Sequence, residues 1–321
     1  MSTADGFARG LEGRHALVTG GAGFIGSHLV DALVAAKVKV RVLDNFSNGR
    51  SENLATHDDR IEVLQGDIRD LATCRCACEG VSLVFHLAAV GSVARSMCDP
   101  VTTFDINARG TAHILEAAHE TGVSAVVAAS SSSVYGATPG VLRIEGTEGE
   151  PLSPYALSKK VSEELAATFR RCFGLRVVSL RFFNVFGPRQ RPDGPYAAVI
   201  PRFVTAALHG EPLEIYGNGG YSRDFTYVAD VVAATLLAAR KAPTVAAHVF
   251  NVGAGREVTL SELAAKVLAI TGSSSSIVYG PPRLGDVHAS LADLRAVHAA
   301  LGYLPGWSLE RGLAATVAEA S

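Results

Sequence analysis

The chain has 321 residues, 48% of them apolar and 19% charged, which supports a sizeable core and excludes a disordered or fibrous protein. Its 29 Lys and Arg against 31 Asp and Glu leave a formal charge of −2, which argues against bulk nucleic-acid binding but allows a local cationic pocket. The 32 glycines are in excess of ordinary usage and point to tight turns or close backbone approaches to a ligand.

In chain order, the segment up to about Leu11 reads as a loose tail, and Met1 to Arg14 carry no signal-peptide pattern. His15–Thr19 reads as a buried strand, Phe24–Ala36 as a helix, and Val38–Leu43, Ile61–Leu64 and Leu83–Leu87 as three further strands. Cys74, Cys76 and Cys78 fall in a helix after Asp70 rather than in a metal set, because no CxxC pair and no nearby His completes one. With Cys98 and Cys172 they make an odd number of thiols, which favours a reducing compartment. A helix over Thr103–Thr121, a strand at Ala125–Ala129, a helix over Pro154–Phe173 and a strand at Val177–Arg181 follow. Nearly continuous apolar strands alternating with helices imply an α/β fold of Rossmann type, a doubly wound parallel sheet covered on both faces. After about Gly187 the pattern breaks, and helices Val199–His209 and Leu260–Thr271 alternate with short strands Leu213–Tyr216 and Val249–Val252. Residues 12–187 are read as a dinucleotide-binding domain and 188–321 as a smaller α/β substrate lobe interleaved with it. No apolar run reaches the roughly 18 residues of a membrane span, so a soluble, cytoplasmic protein is expected.

Gly20, Gly23 and Gly26 lie between the first strand and the first helix. The first permits the turn, the second lets backbone approach a pyrophosphate, and the third lets helix and strand pack closely. The helix N-terminus then offers free N–H groups and partial positive charge to phosphates. Asp44 ends the second strand 18 residues after Gly26, where a carboxylate accepts both ribose hydroxyls and repels a 2′-phosphate. That favours NAD over NADP, tempered by Arg50 nearby. Asp67 and Ile68 would lie at the adenine end, and Leu87, Ala88 and Ala89 on the nicotinamide side.

Tyr155 and Lys159 stand at i and i+4, on one helical face. A nearby ammonium would favour phenolate and lower the tyrosine pKa toward the working range of a general base, and an oxidised nicotinamide would add a second positive charge. Ser130, Ser131, Ser132 and Ser133 leave the fifth strand at the same sheet edge, where four hydroxyls are costly to bury unless a ligand faces them.

At this point the chain resembles the extended short-chain dehydrogenase/reductase family, specifically its NAD-dependent nucleotide-sugar epimerases and dehydratases. The resemblance covers about His15 to Leu313 and includes TGGAGFIGSHL, LDNFSNGR, HLAA, SSSSVYG, YxxxK, RFFNVFGPRQ, RDFTYVAD, FNVG and RxGDV. It implies that Ser131 partners the catalytic Tyr155 and that Lys159 holds the nicotinamide ribose. It extends the expected cofactor contacts to Phe24, Ile25, Asn45, Ser47, Asn48, Gly49, Arg50, Asn107, Ser130 and Phe182. Substrate contacts are implied at Ser132, Ser133, Asn184, Arg191, Ala198, Val199 and Ser290, with Arg223 and Arg283 on phosphates and Asp286 on the nucleotide ribose.

Family dehydratases place Asp-Glu after the hydroxyl residue, whereas this chain has Ser132-Ser133. It is therefore most similar to the UDP-hexose 4-epimerases, which implies oxidation at C4 to a transient 4-keto sugar, rotation, and reduction of the other face. Ser290, at a wall position, implies room for an N-acetyl group. Arg191 resembles a residue of epimerases acting on UDP-glucuronic acid, but Tyr196 to Arg202 are more similar to the neutral-hexose enzymes. A decarboxylase or dehydratase of the same family and a non-catalytic NAD-binding protein are the rival readings. The expected partners are a UDP-sugar and a second copy of the chain, with Ile114, Leu115, Leu165 and Phe169 on the outer faces of the pairing helices. No metal, nucleic acid or membrane is expected.

Overall fold

Seven parallel strands form the central sheet of the computed structural model, which describes residues 6–57, 59–192, 197–281 and 288–320. The strands in chain order are β1 (His15–Thr19), β2 (Lys39–Asp44), β3 (Ile61–Gln65), β4 (Leu83–His86), β5 (Ala125–Ser131), β6 (Leu142–Arg143), β7 (Val177–Phe182) and β8 (Val185–Phe186). There follow β9 (Leu213–Tyr216), β10 (Ser222–Arg223), β11 (Thr226–Tyr227), β12 (Val249–Val252), β13 (Val258–Thr259), β14 (Ile277–Gly280) and β15 (Ala289–Ala292). The helices are α1 (Phe24–Ala35), α2 (Leu71–Cys78), α3 (Val93–Cys98), α4 (Pro100–Phe104), α5 (Gly110–Glu120), α6 (Pro154–Phe173), α7 (Val199–Leu208), α8 (Val228–Lys241), α9 (Leu260–Thr271), α10 (Arg295–Leu301) and α11 (Leu309–Ala320).

The central order is β12-β7-β5-β4-β1-β2-β3. The chain runs outward from β1 to β3, then returns to β4 on the other side of β1, so a crevice opens between β1 and β4 at the carboxyl edge. All six residues of β7 are buried, as a strand covered on both faces requires. Leu29, Leu33, Val231 and Leu236 of α1 and α8 pack on one face, while Cys74, Ile114 and Ala166 of α2, α5 and α6 pack on the other. A small sheet of order β13-β10-β15-β6 borders the crevice, and β8 with β11 and β9 with β14 form two-stranded pairs.

Four sequence expectations change. The segment before Leu11 is not loose from Gly6 on: Ala8 and Leu11 are buried in the α1/α8 core, and Arg240 binds the carbonyls of Gly6 and Phe7. Val249–Val252 is not a strand of the second lobe but the edge strand β12 of the central sheet, paired with β7, while Arg143 in β6 joins the small sheet. The expected helix Thr103–Thr121 is broken by a π-helical turn over Asp105–Arg109, where the Asn107 carbonyl accepts hydroxyl bonds from Thr111 and Ser162. Ile114 and Leu115 are fully buried, and Leu165 and Phe169 pack partly buried on the same core, so these residues do not form an outer apolar face.

Cys74 and Cys78, one helical turn apart, both face the core of α2, with burial pushing each thiol up to about 12, while Cys76 is exposed. None of the five cysteines is in a disulfide. Among the described residues no helix is long and apolar enough to cross a membrane.

Candidate active site

The crevice at the carboxyl edge is a cavity of about 650 Å³ reaching from the loop before α1 to the small sheet. At its first end Gly20 takes φ +70°, and a Cβ there would meet the backbone of Ala88 at 2.8 Å. Gly26 packs so closely on the Gly20 carbonyl that a Cβ has no room. Helix α1 starts at Gly23 with no side-chain cap and no acid in its first turn, leaving its first amides and partial positive charge to the cavity.

Asp44 is buried and its two oxygens accept from the amides of Ala22 (3.0 Å) and Phe46 (2.9 Å). Burial pushes its carboxyl above the usual range, opposed by those two bonds. Asn45 and Arg69 bind Asp67 at 2.9 and 2.8 Å, and the Arg69 bonds above all hold that carboxyl well below the ordinary range. Phe24, Ile25, Ser47, Asn48, Gly49, Ile68, Leu87, Ala88, Ala89 and Phe182 complete the lining. Two expected cofactor residues do not line it. Arg50 is exposed, and its backbone N–H ties to the Ala22 carbonyl. Asn107 is buried and bridges the backbone of Val90 to the Ser158 hydroxyl of α6.

Ser153 caps α6, Pro154 fills its first turn, and the helix carries Tyr155 and Lys159 against the ends of β5 and β7. The Lys159 ammonium donates to the Ala129 carbonyl at 2.9 Å, and burial lowers its pKa to about 8 against the attraction of Glu163. The expected lowering of Tyr155 does not occur: burial raises its phenol, and the opposing influence is the hydrogen bond with Ser131. The Ser131 hydroxyl accepts from the Ser133 amide (3.1 Å) and the Ser133 hydroxyl (3.0 Å), which directs its own hydrogen to the Tyr155 oxygen.

Beneath the site lies a network that the sequence reading missed. Ser130 donates to Glu163 at 2.5 Å, Glu163 is bidentate with Arg181 at 2.8 and 2.7 Å, and Arg181 also pairs with Glu148 and stacks over Tyr135. The i, i+4, i+8 spacing of Tyr155, Lys159 and Glu163 was its available signal. His86 of β4 is equally concealed, bonded to the hydroxyls of Thr19 (2.8 Å) and Thr111 (3.0 Å).

Ser130, Ser131, Ser132, Ser133, Asn184, Ala198, Arg223 and Ser290 line the far end, together with Gln190 and Arg143, neither of which the sequence singled out as a site residue. Asn184 holds φ +30° between β7 and β8, a strained position for a residue other than glycine. Val199 and Arg191 do not line the cavity, and Arg191 is exposed. Arg283 and Asp286 lie outside the described residues, as does Tyr196.

The uncapped helix start supplies the donors that a pyrophosphate needs, and Asp44 retains lone pairs for a ribose diol, so the first end fits NAD. Over 305 residues the chain is 39% identical to the UDP-glucose 4-epimerase of Mycolicibacterium smegmatis, covering 94% of this chain and 96% of that one. It is 38% identical over 273 residues to the UDP-N-acetyl-alpha-D-glucosaminuronate decarboxylase of Bacillus cytotoxicus, covering 84% of each. The UDP-N-acetylglucosamine 4-epimerase of Methanobrevibacter ruminantium, solved in complex with UDP-N-acetylmuramic acid, superposes with a TM-score of 0.91 at 36% identity, covering 96% and 98% of the two chains. Residues 16–253 match the NAD dependent epimerase/dehydratase family. The glycine turn, the buried Asp44 and the Tyr155–Lys159 face thus accompany likeness along nearly the whole length, and the chain belongs to the NAD-dependent epimerase/dehydratase family.

Proposed function

We propose that the protein 4-epimerises a UDP-hexose, interconverting UDP-glucose and UDP-galactose and accepting their N-acetylated counterparts. Among the described residues the acids lining the cavity are Asp44 and Asp67, both at its first end, and this observation carries the reading. The sugar end offers hydroxyls at Ser131, Ser132 and Ser133 and, among the described residues, no carboxylate pair to eliminate water. Bound NAD supplies reversible two-electron oxidation and reduction at C4 of the sugar. Tyr155 takes the proton of the sugar O4 and later returns it. Ser131 hydrogen-bonds that oxygen together with Tyr155, and Lys159 holds the nicotinamide ribose. Arg223 and Asn184, which line the cavity, would hold the nucleotide while the sugar turns.

Incubation with UDP-glucose, UDP-galactose and their N-acetylated forms, followed by product separation and mass, tests the reading. Products of unchanged mass are expected, whereas loss of 44 or 18 mass units would establish decarboxylation or dehydration instead (an approximate mass bookkeeping of about one CO₂ or one H₂O). Ser290, 8% exposed on β15, forms part of the wall. Ser290→Tyr is expected to suppress the N-acetylated reaction by roughly 5–150-fold more than the plain one, the effect of an overpacking penalty of about 1–3 kcal/mol. Equal loss on both would remove Ser290 as the wall. A homodimer is part of the same proposal.

A further inference from the structure

Arg143 is the second residue of β6, is 3% exposed, and lines the same cavity as Tyr155 and Ser290. Its guanidinium donates to the carbonyl of Thr138 at 2.8 Å and to that of Ala289, next to Ser290, at 3.0 Å. A guanidinium has five N–H donors in a planar fork, so these bonds leave donors over. No carboxylate pairs with it among the described residues, and a cation buried beside neutral carbonyls is costly. Tying Thr138 to Ala289 would need only a neutral amide. The surplus charge and donors instead suit an acceptor that enters the cavity.

The small sheet fixes where that acceptor would sit. Arg223 faces Ser290 in the β10–β15 register, and Arg143 faces Ala292 in the β15–β6 register, so the two arginines flank Ser290 on neighbouring strands. The lining acids, Asp44 and Asp67, belong to the opposite end. We propose that Arg143 selects the substrate by donating to an sp² oxygen on a substituent of the sugar, so that an acyl- or carboxyl-bearing nucleotide sugar is preferred over the plain hexose. The proposal rests on the reading of the cavity as a nucleotide-sugar site. Its two sources of that oxygen are the carbonyl of a 2-acetamido group and a carboxylate at C6.

The test measures kcat/KM and, separately, calorimetric Kd of the wild type, Arg143→Met and Arg143→Lys, each loaded with NAD, for UDP-glucose, UDP-N-acetylglucosamine and UDP-glucuronic acid. The wild type is expected to prefer one substituted sugar to UDP-glucose, and Arg143→Met to shrink that preference by about 10–100-fold, as loss of a charged hydrogen bond does. Arg143→Lys, which keeps the charge without the fork, should restore part of it for the carboxylate and little for the acetamide. The sugar whose preference collapses identifies the oxygen. No wild-type preference, or an equal loss on all three sugars, overturns the assignment. If Arg143→Met does not fold, the Arg143→Lys ratios decide by the same criterion. Selective binding that Arg143→Met abolishes, without any turnover, would overturn the epimerase reading and leave the Arg143 assignment standing. Failure of all three sugars to bind overturns both.

Discussion

Burial opposes the charged form of both groups to which we assign the chemistry, raising the Tyr155 phenol and drawing the Lys159 ammonium down to about 8. Tyr155→Phe removes one hydroxyl and leaves the ring, so the fold and NAD binding should persist while turnover falls by about 10²–10⁴-fold. A variant with near-normal kcat would remove Tyr155 from the chemistry. At His86 the geometry fixes one proton: the Thr111 hydroxyl donates to Asn107, so it must accept from Nε2–H. Desolvation chiefly lowers its pKa to about 3, which keeps the imidazole neutral and lets Nδ1 accept from the Thr19 hydroxyl. Because the folded value lies below the unfolded one, the unfolded chain binds the extra proton. The stability this gives is whole above about pH 6.5 and is lost as pH falls toward 3. Between pH 7 and 4.5 the loss should be about 2–3 kcal/mol, at 1.36 kcal/mol per unit. Urea midpoints should fall less steeply with acid in His86→Gln, and equal slopes would refute the account.

Among the elements, α1 depends on one missing methyl group. A Cβ at Gly26 would press on the Gly20 carbonyl and lie 2.8 Å from the Gly21 Cα, and backbone atoms cannot turn aside as side chains do. Gly26→Ala should push α1 off β1, costing about 1–3 kcal/mol and weakening NAD binding together with the thermal midpoint. Unchanged NAD affinity would show that the turn adapts. The three alternate cysteines of α2 illustrate the same dependence on helical phase. Cys74 and Cys78 meet the core while Cys76 meets solvent, as 3.6 residues per turn dictates. The π-helical turn before α5 was invisible to periodicity, and the hydroxyls that bond its Asn107 carbonyl come from Thr111 and, across a long separation, from Ser162 on α6.

For the molecule as a whole, one cluster of exposed apolar side chains lies on α3, α4 and the segment that leads into α6. Met97, Val101, Leu152 and Leu157 are exposed there around a shallow groove. This face, and not that of Ile114 and Leu115, is the one we propose for the second copy of the chain. Val101 is 78% exposed, so Val101→Asp can be made without disturbing the core. Light scattering should give about twice 33.5 kDa for the wild type and one chain mass for the variant. A wild-type mass near 33.5 kDa would exclude the dimer.

The fold class, the Gly20–Gly23–Gly26 turn, Asp44 and the Tyr155–Lys159 pair were legible because each is a local device. Their spacing states the backbone geometry within a few residues, and apolar periodicity states which face is buried. What the sequence could not state depends on groups brought together across long separations. Val249–Val252 joins β7 by pairing with residues some seventy positions earlier, and Arg143 reaches the cavity only because β15 carries Ala289 to it (separations of roughly 70 and 150 residues). Likewise the Ser130–Glu163–Arg181 network and the burial that raises Tyr155 exist only once β5, α6 and β7 are packed. Sequence spacing determined the glycine turn and the Tyr155–Lys159 pair to which we assign the chemistry. Desolvation and long-range pairing, which have no signature in local order, decided the charge states and the walls of the far end of the cavity.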